Sequence, residues 1–308
     1  MELEALIHKF AEDEKIIAGI CDVAPLDEIR KILEFVKTPF VTNDISRRIT
    51  PKMIMENAES MIVIGVGYDK IFEFPLDNAI RGNLSVSAVG IDYHVSVKEK
   101  LLKLMNLLNK HENFEYKIFV DNGDLVEREL AKKSGIGYYG KNCNIISNRF
   151  GSFFNIGYAL ISLKLGSSKS QYDQKSCGNC QVCITSCPTR ALSAYHCDYT
   201  KCISYLTQKK GDLTEQEMKS IGFQIYGCDV CQRVCPKNFE KAIGRINDIN
   251  LVKVELSEIL NMTNKEFNDR YKQTSAGWRG KKTLQRNAMV VRDNYGDTVS
   301  RKLDNNSR

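Results

Sequence analysis

The sequence predicts mixed α and β structure in three parts: an α/β domain over residues 1–168, a ferredoxin-type iron-sulfur domain over 169–240, and a short helical segment over 241–308. Three observations predict this division. Apolar strand-like runs alternate with amphipathic helices in the first part. A dense cysteine series occupies the second part, and helical periodicity combines with an excess of Lys and Arg in the third. With 308 residues, the chain has room for two or three domains.

The first domain begins with apolar residues at helical spacing from Leu3 to Phe10. The continuous apolar run over 60–67 predicts a buried strand in a sheet that is covered on both faces. Asp124 and Glu127, three residues apart, resemble the capping box that opens a helix. The Ser- and Lys-containing stretch over 166–174 is typical of a linker. Further predicted elements are strands at 16–23, 116–120, 144–147 and 155–163, and helices at 26–37, 51–58, 93–110 and 124–134.

The cysteine series is the most specific motif in the sequence. Four cysteines followed by proline have the C-x2-C-x2-C-x3-C-P spacing of bacterial ferredoxins, in which the fourth cysteine binds a second cluster. A downstream series repeats this ending with one cysteine fewer, and Cys202 brings the total to the eight that two 4Fe-4S clusters need. The predicted ligands are Cys177, Cys180, Cys183 and Cys235 for cluster one, and Cys187, Cys202, Cys228 and Cys231 for cluster two. Three cysteines remain unassigned: Cys21, Cys143 and Cys197.

Other uses of these cysteines fit the sequence less well. The series does not have a zinc spacing, and radical-SAM enzymes need C-x3-C-x2-C, which is absent at both candidate places. Disulfides need an oxidising compartment, whereas the chain begins without an apolar signal segment, so we expect a reducing cytoplasm. No run of 18 apolar residues predicts a membrane span. The G-x-G-x-x-G match at 135–140 follows a helix and precedes a strand, which is the reverse of a dinucleotide site.

The positive charge of the chain is concentrated at one end. The net charge is +6, and residues 270–308 contribute ten basic and three acidic side chains, so the rest of the chain sums to −1. A basic segment of this kind can bind a polyanion or can be an ordinary solvated surface. We predict that Lys281, Lys282 and Arg286 contact nucleic-acid phosphates. The helices predicted in this segment lie at 256–262 and 283–294.

Several stretches together resemble the epoxyqueuosine reductase (QueG) family over nearly the whole chain. The first is the run from Val120 through Asp121 to Arg128, and the second runs from Ser134 through Gly137 to Asn142. The cysteine series adds the sequences around Cys202 and from Gly227 to Pro236. The remaining matches are Arg48 with Pro51, Asp92-Tyr93-His94, Trp278-Arg279-Gly280 and Arg286-Asn287.

The resemblance implies that the first domain binds cobalamin without a protein histidine on cobalt. It further implies that cob(I)alamin, reduced through the two 4Fe-4S clusters, converts epoxyqueuosine to queuosine at the wobble position of tRNA. Asp121 matches the family's proton donor, although an Asp before Asn-Gly is by itself typical of a turn. The implied cofactor-binding residues are Arg48, Tyr93, His94, Asp121, Gly137, Lys141, Asn142 and Ser147. The implied partners are the tRNA anticodon loop and an external one-electron donor such as a flavodoxin or ferredoxin, with no membrane and a monomeric chain.

Two features depart from the family pattern. Asp124 stands where the family usually has proline, and the sequence ends at Arg308, whereas many members continue into a helical-repeat domain. We therefore expect a short form in which tRNA is held differently. Two alternatives remain open: another cobalamin and iron-sulfur reductase, of the reductive dehalogenase kind, and a ferredoxin-type electron-transfer protein. The second would not need a large α/β domain before its clusters.

Overall fold

A computed structural model describes residues 2–36, 39–69, 81–168, 172, 176–239, 241 and 252–305, with side chains described as far as residue 296. The chain forms two compact units that interleave along the sequence. Unit 1 comprises Met1–Tyr68, Tyr93–Cys180 and Lys237–Ala242, and unit 2 comprises Asp69–Asp92, Gln181–Pro236 and Ile243–Arg308. The division between units falls inside the cysteine series. The three-part domain division stays a prediction, and much of the linker at 166–174 lies outside the described residues.

Unit 1 is built on a four-stranded sheet with the order β1-β2-β7-β4, in which every neighbouring pair is antiparallel. Helix α4 packs against β7 and β4, and α5 packs against β7 and β5. A separate short hairpin pairs β5 with β6. The elements are α1 Glu2–Asp13, β1 Ile17–Asp22, α2 Arg30–Phe35, α3 Ile45–Ile49, β2 Ser60–Gly67, α4 Tyr93–Leu108, β4 Tyr116–Phe119, α5 Glu127–Lys133, β5 Tyr138–Tyr139, β6 Ile145–Ile146 and β7 Phe154–Ile161.

The core of unit 1 confirms the main apolar patterns of the sequence. The first six residues of β2 are buried, as predicted for a strand that is covered on both faces. Val97, Leu101 and Leu104 recur on one face of α4 and are fully buried in the core against the sheet. A Cβ atom on Gly157 of β7 would lie 2.5 Å from Val97 Cγ1, so glycine allows this close approach of helix and strand.

Three local expectations differ from the structure. The helix predicted over 51–58 is only a 3-10 turn at Pro51–Met53, and Lys117 Nζ donates to Ile54 O, which a longer helix would use itself. The strand expected at 144–147 is limited to Ile145–Ile146, in the small hairpin. The capping box at Asp124 is wrong, because α5 begins after Val126 with no side-chain cap.

Unit 2 contains a second sheet, with the order β10-β3-β11, and a core that joins this sheet to the C-terminal helices. Strand β3 pairs parallel with β10 and antiparallel with β11. Both predicted C-terminal helices are confirmed, by α10 and by the long helix α12. The elements are β3 Arg81–Leu84, α6 Val182–Thr185, β8 Leu192–Ser193, β9 His196–Cys197, α7 Ile203–Leu206, α8 Glu215–Ile221, β10 Gln224–Tyr226, α9 Val230–Arg233, β11 Lys253–Glu255, α10 Leu256–Leu260, α11 Asn264–Arg270 and α12 Lys281–Asn305.

Among the described helices, none is both long enough and apolar enough to cross a bilayer.

Candidate functional site

Asp121 lies at the end of β4 in an unusual backbone conformation. Its φ angle is +55°, in the left-handed region that non-glycine residues adopt at a cost in free energy. The Asp121 N–H donates to Glu127 Oε1 at 2.6 Å, and the Tyr93 hydroxyl donates to Asp121 Oδ2 at 2.5 Å. Backbone and carboxylate are therefore held by two different neighbours, while the side chain remains exposed. This arrangement presents an oriented carboxylate at the surface of unit 1.

Glu127 connects this turn to the start of α5. The pKa of Glu127 is raised to about 8, chiefly by burial and second by the nearby negative charge of Asp121, against the opposite effect of the Asp121 N–H and of Arg128. The Tyr158 hydroxyl lies close to this turn. The Tyr158 pKa is raised, first by burial and second by the negative charge of Glu127. A Cβ atom on Gly123 would collide with this hydroxyl, so the turn needs glycine there. Sequence reasoning assigned Glu127 to a cap and missed its contact with Asp121.

Arg48, Tyr93 and His94 are three of the predicted cofactor-binding residues, and two contacts link Arg48 and its helix to the Asp121 turn. The Val126 N–H donates to Arg48 O at 3.3 Å, and Arg47 forms an ion pair with Asp124 at 2.7 Å. Within the described residues, the buried Arg48 Nε has no hydrogen-bond partner, and burial lowers the Arg48 pKa. The His94 ring stacks on Tyr93 with centroids 4.3 Å apart.

The other predicted cofactor-binding residues lie on or next to the β5–β6 hairpin and serve its structure. A Cβ atom on Gly137 would collide with the Ile145 side chain. Ser147 is buried, and its hydroxyl donates to Gly151 O and accepts from the Phe150 N–H. Asn142 is buried as well, and its Oδ1 accepts from the Asn144 N–H at 3.3 Å. Direct contact of these residues with a cofactor stays a prediction.

Lys141 supports the first part of the cysteine series. Its Nζ donates to Gly178 O at 2.6 Å and to Cys180 O at 3.0 Å, and its backbone N–H lies 3.4 Å from Cys177 Sγ. An N–H directed at a thiolate sulfur stabilises its negative charge. The family-specific lysine therefore fixes the loop that carries the first two cysteines.

The four predicted ligands of cluster two all belong to unit 2. Cys187 follows α6, Cys202 immediately precedes α7, Cys228 follows β10 and Cys231 lies on α9. The pKa of Cys228 is raised to about 12, chiefly by burial, with smaller contributions from Asp229, Cys202 and Cys187 and an opposite effect of the Val230 N–H. Burial also raises the pKa of Cys231, with Cys228 and Cys202 adding to the effect. That these four cysteines bind one shared cluster stays a prediction.

Asp229 fixes the turn that carries two of these cysteines, a role that no sequence pattern indicated. It is buried and accepts hydrogen bonds from Ser85 Oγ at 2.5 Å and from the Val86 N–H at 2.8 Å. Gly227, with a φ angle of +68°, has no room for a side chain because a Cβ would lie 2.5 Å from that of Ser85. Among the described residues, no three Cys, His, Asp or Glu side chains surround a position for a single metal ion. Ligands of a cuboidal cluster stand farther apart than those of one ion.

The basic C-terminal residues have different surroundings from those expected. The Arg286 guanidinium donates to three backbone carbonyls, of Leu206, Lys209 and Gly211, and to Asn287 Oδ1. Lys281 Nζ donates to Met262 O at 3.2 Å, whereas Lys282 is exposed. The expectation that Arg286 contacts phosphates is therefore wrong, because its donors are used inside unit 2.

These features define a class of protein. An oriented carboxylate on an α/β unit and a ferredoxin-type double series of cysteines in one chain are typical of an iron-sulfur oxidoreductase. The family profile described as "4Fe-4S double cluster binding domain" matches residues 176–238. The profile described as "Epoxyqueuosine reductase QueG, DUF1730" matches residues 48–122.

Similar proteins agree with both profiles. An epoxyqueuosine reductase of Bacillus cereus is 37% identical over 287 residues, which cover 89% of this chain and 75% of that protein. The structure of epoxyqueuosine reductase from Streptococcus thermophilus superposes with a TM-score of 0.89 at 33% identity, covering 100% of this chain and 87% of that one. A second structure, epoxyqueuosine reductase with a tRNA-Tyr epoxyqueuosine-modified stem loop, gives a TM-score of 0.86 at 30% identity over 94% of this chain and 81% of that one. The chain belongs to the epoxyqueuosine reductase family.

Proposed function

We propose that this chain reduces epoxyqueuosine to queuosine in the anticodon loop of tRNA. Family membership supports this proposal, together with the relative whose structure contains an epoxyqueuosine-modified stem loop. The observation in this chain that carries it is the Asp121 turn. Tyr93 orients its carboxylate and Glu127 holds its backbone in a costly conformation, as expected for a group that must meet a substrate at one position.

The residues around this turn fit a bound cobalamin. The buried Arg48 Nε, which has no hydrogen-bond partner among the described residues, is a donor suited to the amide and phosphate oxygens of that cofactor. Arg48, Tyr93 and His94 would hold the group, and Lys141 would support the cluster loop instead of contacting the corrin. Bound and reduced cobalamin supplies a strong nucleophile that can open an epoxide ring.

Removal of the epoxide oxygen as water takes two electrons and two protons. The eight cysteines would hold two iron-sulfur clusters, a kind of group that supplies electrons one at a time. Asp121 would protonate the oxygen released from carbon, and the Tyr93 hydroxyl would keep the carboxyl group directed at that oxygen. A second proton from solvent completes the water molecule.

The ligand sets of the two clusters form part of the proposal. Cluster one takes Cys177, Cys180, Cys183 and Cys235, and cluster two takes Cys187, Cys202, Cys228 and Cys231. Cys235→Ser should damage the cluster held by the first three cysteines of the upstream series, with about half of the iron lost. Cys21→Ser, Cys143→Ser and Cys197→Ser are the controls and should retain both clusters. Full iron content and unchanged cluster spectra in Cys235→Ser would contradict the assignment.

The function is tested directly by turnover. The chain would be produced anaerobically, loaded with cobalamin and given a chemical reductant and an anticodon stem-loop that contains epoxyqueuosine. Nucleoside mass spectrometry should show loss of one oxygen from the modified base, and the reaction should need both cobalamin and the clusters. A fully loaded chain that leaves the base unchanged would overturn the proposal. We also propose that the chain acts as a monomer and takes its electrons from an external one-electron carrier.

A further inference from the structure

A cavity of about 760 Å³ lies in unit 2 and is lined from segments that carry cluster-two cysteines. Pro188 follows Cys187, Lys201 precedes Cys202, and Val230 precedes Cys231 in the chain. We call this cavity the cluster-two groove. Three lining residues are therefore next in the chain to predicted ligands of cluster two, and a redox partner seated nearby is favoured because electron transfer becomes steeply slower with distance.

The charged side chains of the groove are mainly cationic. Arg190, Lys201 and Lys219 line it and are exposed. The lining carboxylate of Glu217 accepts from Lys209 Nζ with both oxygens, at 2.7 and 2.9 Å, so its negative charge is balanced. Lys201 forms an ion pair with Asp198 at 2.9 Å. The positive field therefore rests chiefly on Arg190 and Lys219.

The remaining lining suits a short-lived protein complex. Ile203, Leu206 and Ile221 form an apolar floor, and the Phe223 side chain at the groove is 36% exposed. Weak electron-transfer complexes use small contact areas, and complementary charge raises their association rate. A cationic margin around a small apolar floor, next to a cluster, matches those requirements.

We propose that the cluster-two groove is the docking surface for an acidic one-electron carrier protein that reduces cluster two. The inference deepens the proposed function, on which it rests, by naming where electrons enter. In each encounter the carrier is oxidised by one electron and the cluster is reduced by one. A tRNA backbone is also anionic, but phosphates would use only the cationic margin, whereas a carrier protein can use both that margin and the apolar floor next to the predicted cluster ligands.

The test compares charge reversals on the loaded enzyme. The groove variant, Arg190→Glu with Lys219→Glu, reverses two positive charges of the groove. The control variant, Lys110→Glu with Lys265→Glu, makes the same change of net charge at two exposed lysines elsewhere. Reduced flavodoxin of net negative charge would be mixed anaerobically with each protein, and flavin oxidation would be followed at several salt concentrations. Photoreduced deazariboflavin, a small uncharged reductant, serves as a second electron source.

At low salt, the groove variant should be reduced by flavodoxin about tenfold more slowly than the wild type, while the control variant is affected less. Both variants should keep normal iron content and normal rates with deazariboflavin. Equal rates of reduction by flavodoxin in the wild type and the groove variant would overturn the proposal. If the groove variant also lost affinity for the stem-loop at unchanged flavodoxin rates, the groove would be assigned to RNA. If the double reversal does not fold, Arg190→Gln and Lys219→Gln provide the same comparison. Turnover with deazariboflavin tests the proposed function separately.

Discussion

The Asp121 turn and the Arg286 region contain family-specific polar residues with opposite surroundings. Asp121 has its backbone held by Glu127 and its carboxylate oriented by Tyr93, and the side chain is exposed. Arg286 uses its donors on backbone carbonyls of its own unit. Both residues matched the family pattern equally well. The contrast shows that a matched residue is a candidate for chemistry only where its polar atoms remain directed outward.

The strongest test of this contrast is Asp121→Asn. We expect turnover to fall by about 10²- to 10⁴-fold because the amide cannot supply the proton. Cobalamin spectra, stem-loop affinity and the urea midpoint should remain close to those of the wild type, since Asn also tolerates the left-handed conformation of Asp121. Turnover would be followed by nucleoside mass spectrometry under single-turnover conditions. Near-normal turnover would remove Asp121 from the reaction.

Arg286→Ala should show the opposite pattern. Its removal leaves three carbonyls and Asn287 Oδ1 without their donor, so we expect the free energy of unfolding to fall by about 3 kcal/mol. Urea unfolding monitored by circular dichroism measures this change. Lys265→Ala, at an exposed position, is the matched control and should be nearly neutral. A stable Arg286→Ala protein with weakened tRNA binding would reverse our assignment of Arg286 to the scaffold.

The spacing of apolar residues predicted the long strands and helices, because the burial of an apolar face determines where these elements form. Strand β2 and helix α4 therefore agree with the sequence analysis. Spacing also identified seven of the eight candidate cluster cysteines, and Cys202 was added because two clusters need eight ligands. The role of Glu127 was missed because a carboxylate three residues after Asp124 is a plausible cap, and only the folded turn shows that it meets Asp121. The buried Asp229 was missed for the same reason, since its partner Ser85 is distant in sequence.

The variant Glu127→Gln changes the residue that holds the Asp121 backbone and leaves the Asp121 side chain intact. The folded pKa of Glu127 is raised to about 8, so the folded state retains a proton that the unfolded chain loses near its ordinary value of 4.5. The stability that this group contributes is fully present below the unfolded pKa and is lost as pH rises through the folded pKa. Between pH 5 and 8, the wild type should therefore lose about 3 to 4 kcal/mol relative to Glu127→Gln.

Urea unfolding of the cluster-loaded chain at several pH values measures this difference. Glu129→Gln, a nearby buried carboxylate of α5, is the control. The glutamine can still accept the Asp121 N–H, so Glu127→Gln should keep most turnover, whereas Glu127→Ala should lower the rate of the chemical step with little change in stem-loop affinity. Parallel pH profiles for the wild type and Glu127→Gln would show that Glu127 does not titrate in this window.

The smallest expected effect concerns the one residue of the predicted phosphate-binding set whose side chain is exposed, Lys282. If it contacts the stem-loop, Lys282→Ala should lower the slope of log affinity against log salt by about 0.7 to 0.9. Lys281→Ala is the internal comparison, because Lys281 Nζ already donates to Met262 O and should contribute less to the slope. Affinities would be measured by fluorescence anisotropy at several salt concentrations. Equal slopes for the wild type and both variants would show that the start of α12 is an ordinary solvated surface. A larger effect of Lys281→Ala than of Lys282→Ala would show that a lysine already hydrogen-bonded inside unit 2 can still bind the RNA. That result would contradict the rule drawn from Arg286.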